Sequence, residues 1–197
     1  MTTVGLVLAA GAGRRFGGPK ALVRPTPDGP TLVETAVERV RAAGCDRVVV
    51  VVGAAADLVT DAVSDTGAEV VRATDWEEGM GASLRTGLAH LDADTDHLAL
   101  VTLVDLPDVT SEVMGRVLAA AAGDGRGALA RAAYAGIPGH PVVLGSDHWA
   151  RVRDTARGDR GARDHLGATP HVLVECGDLA TGRDVDTTAD LEREARR

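Results

Sequence analysis

Three cations and four glycines fall within thirteen residues near the start of the chain: Leu8-Ala9-Ala10-Gly11-Ala12-Gly13-Arg14-Arg15-Phe16-Gly17-Gly18-Pro19-Lys20. Glycines let backbone N–H groups approach phosphate oxygens closely, and Arg14, Arg15 and Lys20 offset the charge of such a ligand. A lysine–phosphate contact near 4 Å is worth about 4 kcal/mol at an effective dielectric of 20, so several together bind a polyphosphate. Two common phosphate loops fail here. A Walker loop needs Gly-Lys-Ser/Thr, but Pro19 separates Gly18 from Lys20 and Ala21 follows. A dinucleotide fingerprint needs its third glycine where Phe16 stands, and an acid after the second strand, where Val52 is followed by Gly53-Ala54-Ala55. The alternative is a plain connection carrying two exposed arginines.

Acidic residues recur at two later points. Asp105 follows the apolar run 98–104 and precedes Leu106-Pro107. A carboxylate at a strand's carboxyl end faces the ligand crevice, and magnesium takes one or two such oxygens besides phosphates and waters. The same residue would equally serve as a turn or cap before the helix that starts near Thr110. Asp184 and Asp186 precede another helix, whose dipole favours them. Ser83 begins a helix whose N-terminus suits an anion or a ribose. As a nucleophile it lacks a His or acid to activate it.

The elements that must position these residues alternate. Residues 4–8, 48–52, 70–71 and 98–104 read as strands, several apolar throughout, as strands buried on both faces are. Residues 31–43, 54–64, 82–91 and 111–122 read as helices, the first opening with the capping box Thr31-x-x-Glu34. This order predicts an α/β three-layer sandwich, a Rossmann-like, mainly parallel sheet wrapped by helices, in one domain spanning residues 1–197. Beyond Gly123 the pattern loosens. Residues 128–134 and 142–144 read as a small antiparallel insertion turning at Gly139-His140-Pro141, residues 157–163 as a glycine-rich loop, and residues 187–196 as a helix capped by Thr187-x-x-Asp190.

Composition narrows the partners. The 197 residues carry 21 Lys+Arg against 29 Asp+Glu, a net charge of −8, which disfavours nucleic acid and anionic membranes. Aromatics are only 2%, too few to stack several bases. Cys45 and Cys176 form no CxxC pair and indicate neither a disulfide framework nor a zinc site. No cation precedes the apolar run 4–10 and Arg14-Arg15 follow it, the wrong order for export. The longest apolar stretch, residues 48–56, falls short of the ~20 a bilayer span needs. A cytoplasmic location is the expectation.

The run LAAGAGRRFGGPKAL resembles the LAAGxGxRxGxxKxL signature of MobA-like NTP transferases. Its two alanines before the first glycine are closest to the molybdenum-cofactor cytidylyltransferase branch; the guanylyltransferase branch usually has LAGG. Residues 76–84 (WEEGMGASL) resemble that branch's WxxGMxxSL. Gly139-His140-Pro141-Val142 resembles its GxPV, residues 158–163 its GDxGAR, and Asp184-Val185-Asp186-Thr187 its DIDT. In order, these cover essentially the whole chain.

The resemblance implies the fold of the nucleotide-diphospho-sugar transferases and a magnesium-dependent transfer of CMP from CTP to the molybdopterin phosphate, releasing pyrophosphate. The product would then pass to a molybdoenzyme. It implies a nucleotide site of Leu8, Ala9, Ala10, Gly11, Ala12, Gly13, Arg14, Arg15, Lys20, Gly79, Met80, Ser83 and Asp105. Lys20, Arg14 and Asp105 would be catalytic, and Asp105 and Asp186 the metal ligands. Arg163, ending a glycine-rich loop, is a candidate acceptor contact, as is His140 if it is more than a turn residue. Trp76 would pack on a ligand or in the core. Leu106 replaces the family's usual glutamine and removes an amide, a change expected to bear on which substrate is bound. Related activities stay open: transfer to a sugar phosphate or phospholactate, an oxidoreductase of the nicotine blue type, or a non-catalytic nucleotide-binding module.

Overall fold

The computed structural model describes residues 2–194. Seven strands form one sheet: β1 (Thr2–Leu8), β2 (Arg47–Val52), β3 (Glu69–Arg72), β4 (Asp96–Leu103), β5 (Leu129–Tyr134), β6 (Ile137–Gly145) and β7 (Val172–Glu175), in the spatial order β3-β2-β1-β4-β6-β5-β7. Only β6 runs against its neighbours; the pairings β1–β2, β1–β4, β2–β3 and β5–β7 are parallel. Seven helices accompany them: α1 (Leu32–Ala42), α2 (Ala56–Val63), α3 (Met80–His90), α4 (Ser111–Ala121), α5 (Ser146–Thr155), α6 (Arg163–Ala168) and α7 (Thr188–Glu194). The expected helix over 187–196 is present as far as it is described; residues 195 and 196 lie outside the described residues.

Strand alternation builds two cores. Val7, Val50, Val52 and Leu100 face α1, α2 and α4, while Leu6, Leu8, Val51 and Val101 face α3, α5 and α6. Helix α1 starts where the capping box requires: Thr31 Oγ1 accepts from the Glu34 N–H, and the Glu34 carboxylate accepts from the Thr31 N–H at 2.7 Å. Among the described residues no helix is long and apolar enough to cross a membrane.

The chain after β1 crosses to β2 on one side, whereas β4 pairs with β1 on the other, Leu8 lying beside Leu103. Such a switch point opens a crevice outside the carboxyl ends of β1 and β4. The glycine loop leaves from one wall and Asp105 from the other.

The expected turn at Gly139-His140-Pro141 is corrected. The hairpin turns at Ala135-Gly136, with φ of 51° and 78°, and both N–H groups donate to the Glu175 carboxylate of β7 at 2.9 Å. A two-residue hairpin turn needs positive φ at both central positions, which Gly136 meets freely and the Glu175 clamp imposes on Ala135. Residues 139–141 lie inside β6, next to a register shift between Arg131 and Ala133.

At the opposite end of the sheet, Asp96 is buried to 1% exposure and accepts from Arg47 Nη1 at 2.8 Å through both oxygens. Among the described residues, Arg47→Leu leaves that buried carboxylate without its counter-charge and with only the Asp92 N–H as a hydrogen-bond donor. We expect about 3 kcal/mol of lost stability by urea unfolding; a loss below about 1 kcal/mol would contradict the pairing.

Candidate active site

The glycine loop is curled by its own backbone. The Gly13 carbonyl accepts from the N–H groups of Phe16, Gly17 and Gly18 at 2.9, 3.0 and 3.2 Å. Gly13 has φ 58°, and a Cβ there would lie 1.9 Å from the Gly18 carbonyl oxygen, so only glycine permits the curl. The curl leads through Pro19 into a short 3₁₀ turn, Lys20–Leu22, that carries the lysine.

Lys20 Nζ donates to Asp105 Oδ2 and to Asp186 Oδ1, each at 2.8 Å. Arg15 stands 3.3 Å from the other oxygen of Asp186. The carboxyl-terminal segment is tied in by backbone, the Val185 N–H donating to the Asp105 carbonyl at 2.9 Å. From α1, Arg39 donates to the carbonyls of Leu106 and Val109 at 3.4 and 3.3 Å, bracing the loop that follows Asp105.

Helix α3 closes the other side. Gly79 has φ 108°, and a Cβ there would sit 2.6 Å from Asp159 Oδ1 and 2.7 Å from Gly158 carbon, so this helix start abuts the 158–160 turn. Arg85 fastens the approach by donating to Asp75, Glu78 and the Ala156 carbonyl at 2.7, 2.6 and 2.9 Å.

The resulting cleft of about 470 Å³ is within the usual range for small-molecule sites. It brings together residues 8–15, Lys20, Gly79, Met80, Ser83, Asp105 and Asp186, all singled out from sequence. Trp76 and Asp184 line it too, and so does Asp159, whose GDxGAR context was the available signal.

Charge holds the centre. Burial alone would lower the Lys20 pKa; the hydrogen bonds and charges of Asp105 and Asp186 outweigh it and raise it above 10.5. The Lys20 hydrogen bond, aided by the charges of Lys20 and Arg15, holds Asp186 below 3.8. The Asp186 contribution to stability is thus present above about pH 4 and lost as pH falls further. The Lys20 contribution is present below about pH 10.5 and lost at higher pH.

Two carboxylates converging on one cation suit a divalent ion completed by phosphate and water oxygens. No group of three or more potential metal-ligating side chains exists among the described residues.

His140 and Arg163 meet elsewhere. They line a smaller cavity of about 50 Å³ with Arg131 and Arg160, sharing Leu8 and Met80 with the main cleft. Desolvation, then Arg131 and Arg163, push the His140 pKa down to about 4. Arg131 was missed from sequence; its signal is a lone charge inside the apolar strand β5. Leu106, the residue in place of the family's usual glutamine, faces away from both cavities. Its side chain is buried against α1 and α4.

A family model, the MobA-like NTP transferase domain, matches residues 5–172. This chain belongs to the MobA-like NTP transferase family. It is 39% identical to nicotine blue oxidoreductase of Paenarthrobacter nicotinovorans, over 96% of this chain and 94% of that protein. Among solved structures it resembles Rv0371c of Mycobacterium tuberculosis H37Rv, with 28% identity, all of both chains covered and a TM-score of 0.82. The structure of Rv0371c in complex with manganese aligns at 26% identity over 98% of this chain and 97% of that one, with a TM-score of 0.76.

Two measurements check this geometry. Lys20→Met removes the cation that competes for both carboxylates, so Mn²⁺ without nucleotide should bind at least ~10-fold tighter by calorimetry; unchanged or weaker binding would contradict the cluster. His140 should titrate near 4 by NMR. Because its unfolded value is about 6.5, stability should fall as pH drops from about 6.5 towards 4; titration near 6.5 would contradict the desolvated, arginine-facing ring.

Proposed function

We propose that the chain is a nucleotidyltransferase that moves CMP from CTP onto the phosphate of a molybdopterin-type acceptor, using a divalent ion, Mg²⁺ in the cell, and releasing pyrophosphate. The observation that carries this reading is the meeting of Lys20, Asp105 and Asp186 beside a curled glycine loop in one cleft. Manganese in the related Rv0371c structure supports a divalent ion. The LAAG form of the loop, which resembles the cytidylyltransferase branch, supports CTP.

In this reading Lys20, Arg14 and Arg15 hold the two phosphates that leave, with the loop's backbone N–H groups around them. Gly79, Met80 and Ser83, at the start of α3, hold the nucleoside side of the substrate. Asp105 and Asp186 would hold the metal ion, whose charge would offset that developing on the α-phosphate. An oxygen of the acceptor phosphate forms the new bond to the α-phosphorus as the bond from that phosphorus to the bridging oxygen breaks. Pyrophosphate leaves with the electron pair. The attacking oxygen is already anionic, so no strong base is needed; the protein supplies positioning and charge neutralisation. His140 and Arg163 contact the acceptor.

One observation favours a second reading. The relative 39% identical over nearly the whole chain is called an oxidoreductase, so reduction of an organic acceptor by a nicotinamide cofactor is the rival. The missing dinucleotide fingerprint at Phe16 weighs against it.

Pyrophosphate release should be assayed with CTP, GTP, ATP and UTP, each with molybdopterin and with sugar-phosphate acceptors. Wild type should favour CTP with molybdopterin, and Lys20→Ala and Asp105→Asn should each lose at least ~100-fold. No pyrophosphate from any pair, together with oxidation of NADH or NADPH, would overturn the proposal.

A further inference from the structure

Arg131 stands in the middle of β5, a strand otherwise built of Leu, Ala and Tyr, and lines the small cavity beside the cleft. Its Nε is buried and has no hydrogen-bond partner, while Nη2 donates to the Gly139 carbonyl at 3.3 Å. Desolvation lowers its pKa, and the charge of Arg163 lowers it further. Among the described residues neither Arg131 nor Arg163 makes an ion pair, whereas Arg160 is neutralised by Asp164 at 2.6 Å. No Asp or Glu lines the cavity.

A guanidinium with a buried, unpaired N–H is destabilising unless a partner satisfies it, and the exposed Arg163 adds a second positive charge to the same cavity. The rest of the lining is Arg160, already paired with Asp164, together with His140 and apolar residues, none of which supplies a negative charge. An anion from outside the chain would supply the partner that the described lining lacks.

Its size and geometry are restricted. The cavity is about a tenth of the main cleft, room for one small group rather than a nucleoside. Its donors approach from β5, β6 and α6, three separate elements. A planar carboxylate is matched by a single guanidinium fork. Donors from three directions match the tetrahedral oxygens of a phosphate.

We propose that the cavity between β5, β6 and α6 seats one phosphate group of the second substrate, held by Arg131 and Arg163 with His140 as a further hydrogen-bonding partner. This rests on reading the adjoining cleft as the nucleotide's site. Leu8 and Met80 belong to both cavities, so an acceptor anchored here lies next to the nucleotide. Arg131 thereby sets the acceptor class: phosphorylated compounds are retained, and their dephosphorylated counterparts are not.

The test uses the whole chain without nucleotide or metal and follows the His140 ring by NMR as a local reporter. The charged groups acting on that ring are Arg131 from β5 and Arg163 from α6, and Arg160, paired with Asp164, lines the same cavity. Inorganic phosphate should shift the His140 signals saturably and raise its pKa, because an anion beside the ring favours imidazolium. Arg131→Met should weaken this binding at least ~10-fold, and Arg163→Met, a change on the short helix α6, should do the same. Lys20→Met should leave the His140 response intact, since Lys20 belongs to the other cavity. CTP–Mn²⁺ binding within about twofold of wild type would show that Arg131→Met is folded.

No His140 response to phosphate while CTP–Mn²⁺ binds would overturn the proposal and leave the cleft reading standing. Acetate binding as tightly as phosphate would overturn the phosphate assignment. A His140 response in a protein that binds no CTP would support the phosphate seat and overturn the cleft reading.

Discussion

One ammonium group organises the charges of this molecule's main cleft. Lys20 Nζ lies 2.8 Å from each of two carboxylates that are 85 and 166 residues away in sequence. Side chains of Lys20 and Asp105 are only 14% and 18% exposed, so the three charges are stable there only as a set. Everything around them serves to bring the set together. The Gly13 curl delivers the lysine, the end of β4 delivers Asp105, and the Val185–Asp105 backbone bond returns the distant tail to the same point.

The topology makes this meeting cheap. Because β1 and β4 are neighbours whose following segments diverge, their carboxyl ends leave a crevice that no crossover helix fills. The two cores on either face hold the strands rigid, so the charged groups hang from fixed supports rather than from mobile connections. Arg39 and Arg85 extend that rigidity by gripping carbonyls beside the Asp105 loop and the start of α3.

Much of this is legible in the sequence, for physical reasons that also set its limits. The parallel half declares itself through continuous apolar strands and a true capping box at Thr31, and the cleft through glycines and charges that follow those strands. Beyond Gly123 the signals weaken. Helix α5 carries only Trp149 and Val152 as large buried residues, and β7 is an edge strand with Val172 and Leu173 exposed, so neither has a clean period. The hairpin turn was misplaced because Gly139-His140-Pro141 has turn chemistry, whereas the Glu175 clamp that fixes Ala135-Gly136 is a contact 40 residues away. Leu106 shows the same limit: it follows Asp105 in sequence, but its neighbours in space are the apolar faces of α1 and α4. Arg131 was invisible as a site residue until β5 and α6 were brought side by side.

The central claim is that the two carboxylates exchange Lys20 for a divalent ion when a triphosphate binds. A crystal grown with Mn²⁺ and a non-hydrolysable CTP analogue tests it most directly. The account requires an anomalous peak about 2.1 Å from oxygens of both Asp105 and Asp186, with Lys20 turned onto a phosphate. A manganese ion bound away from either carboxylate, or Lys20 still bridging the pair beside bound nucleotide, would contradict it.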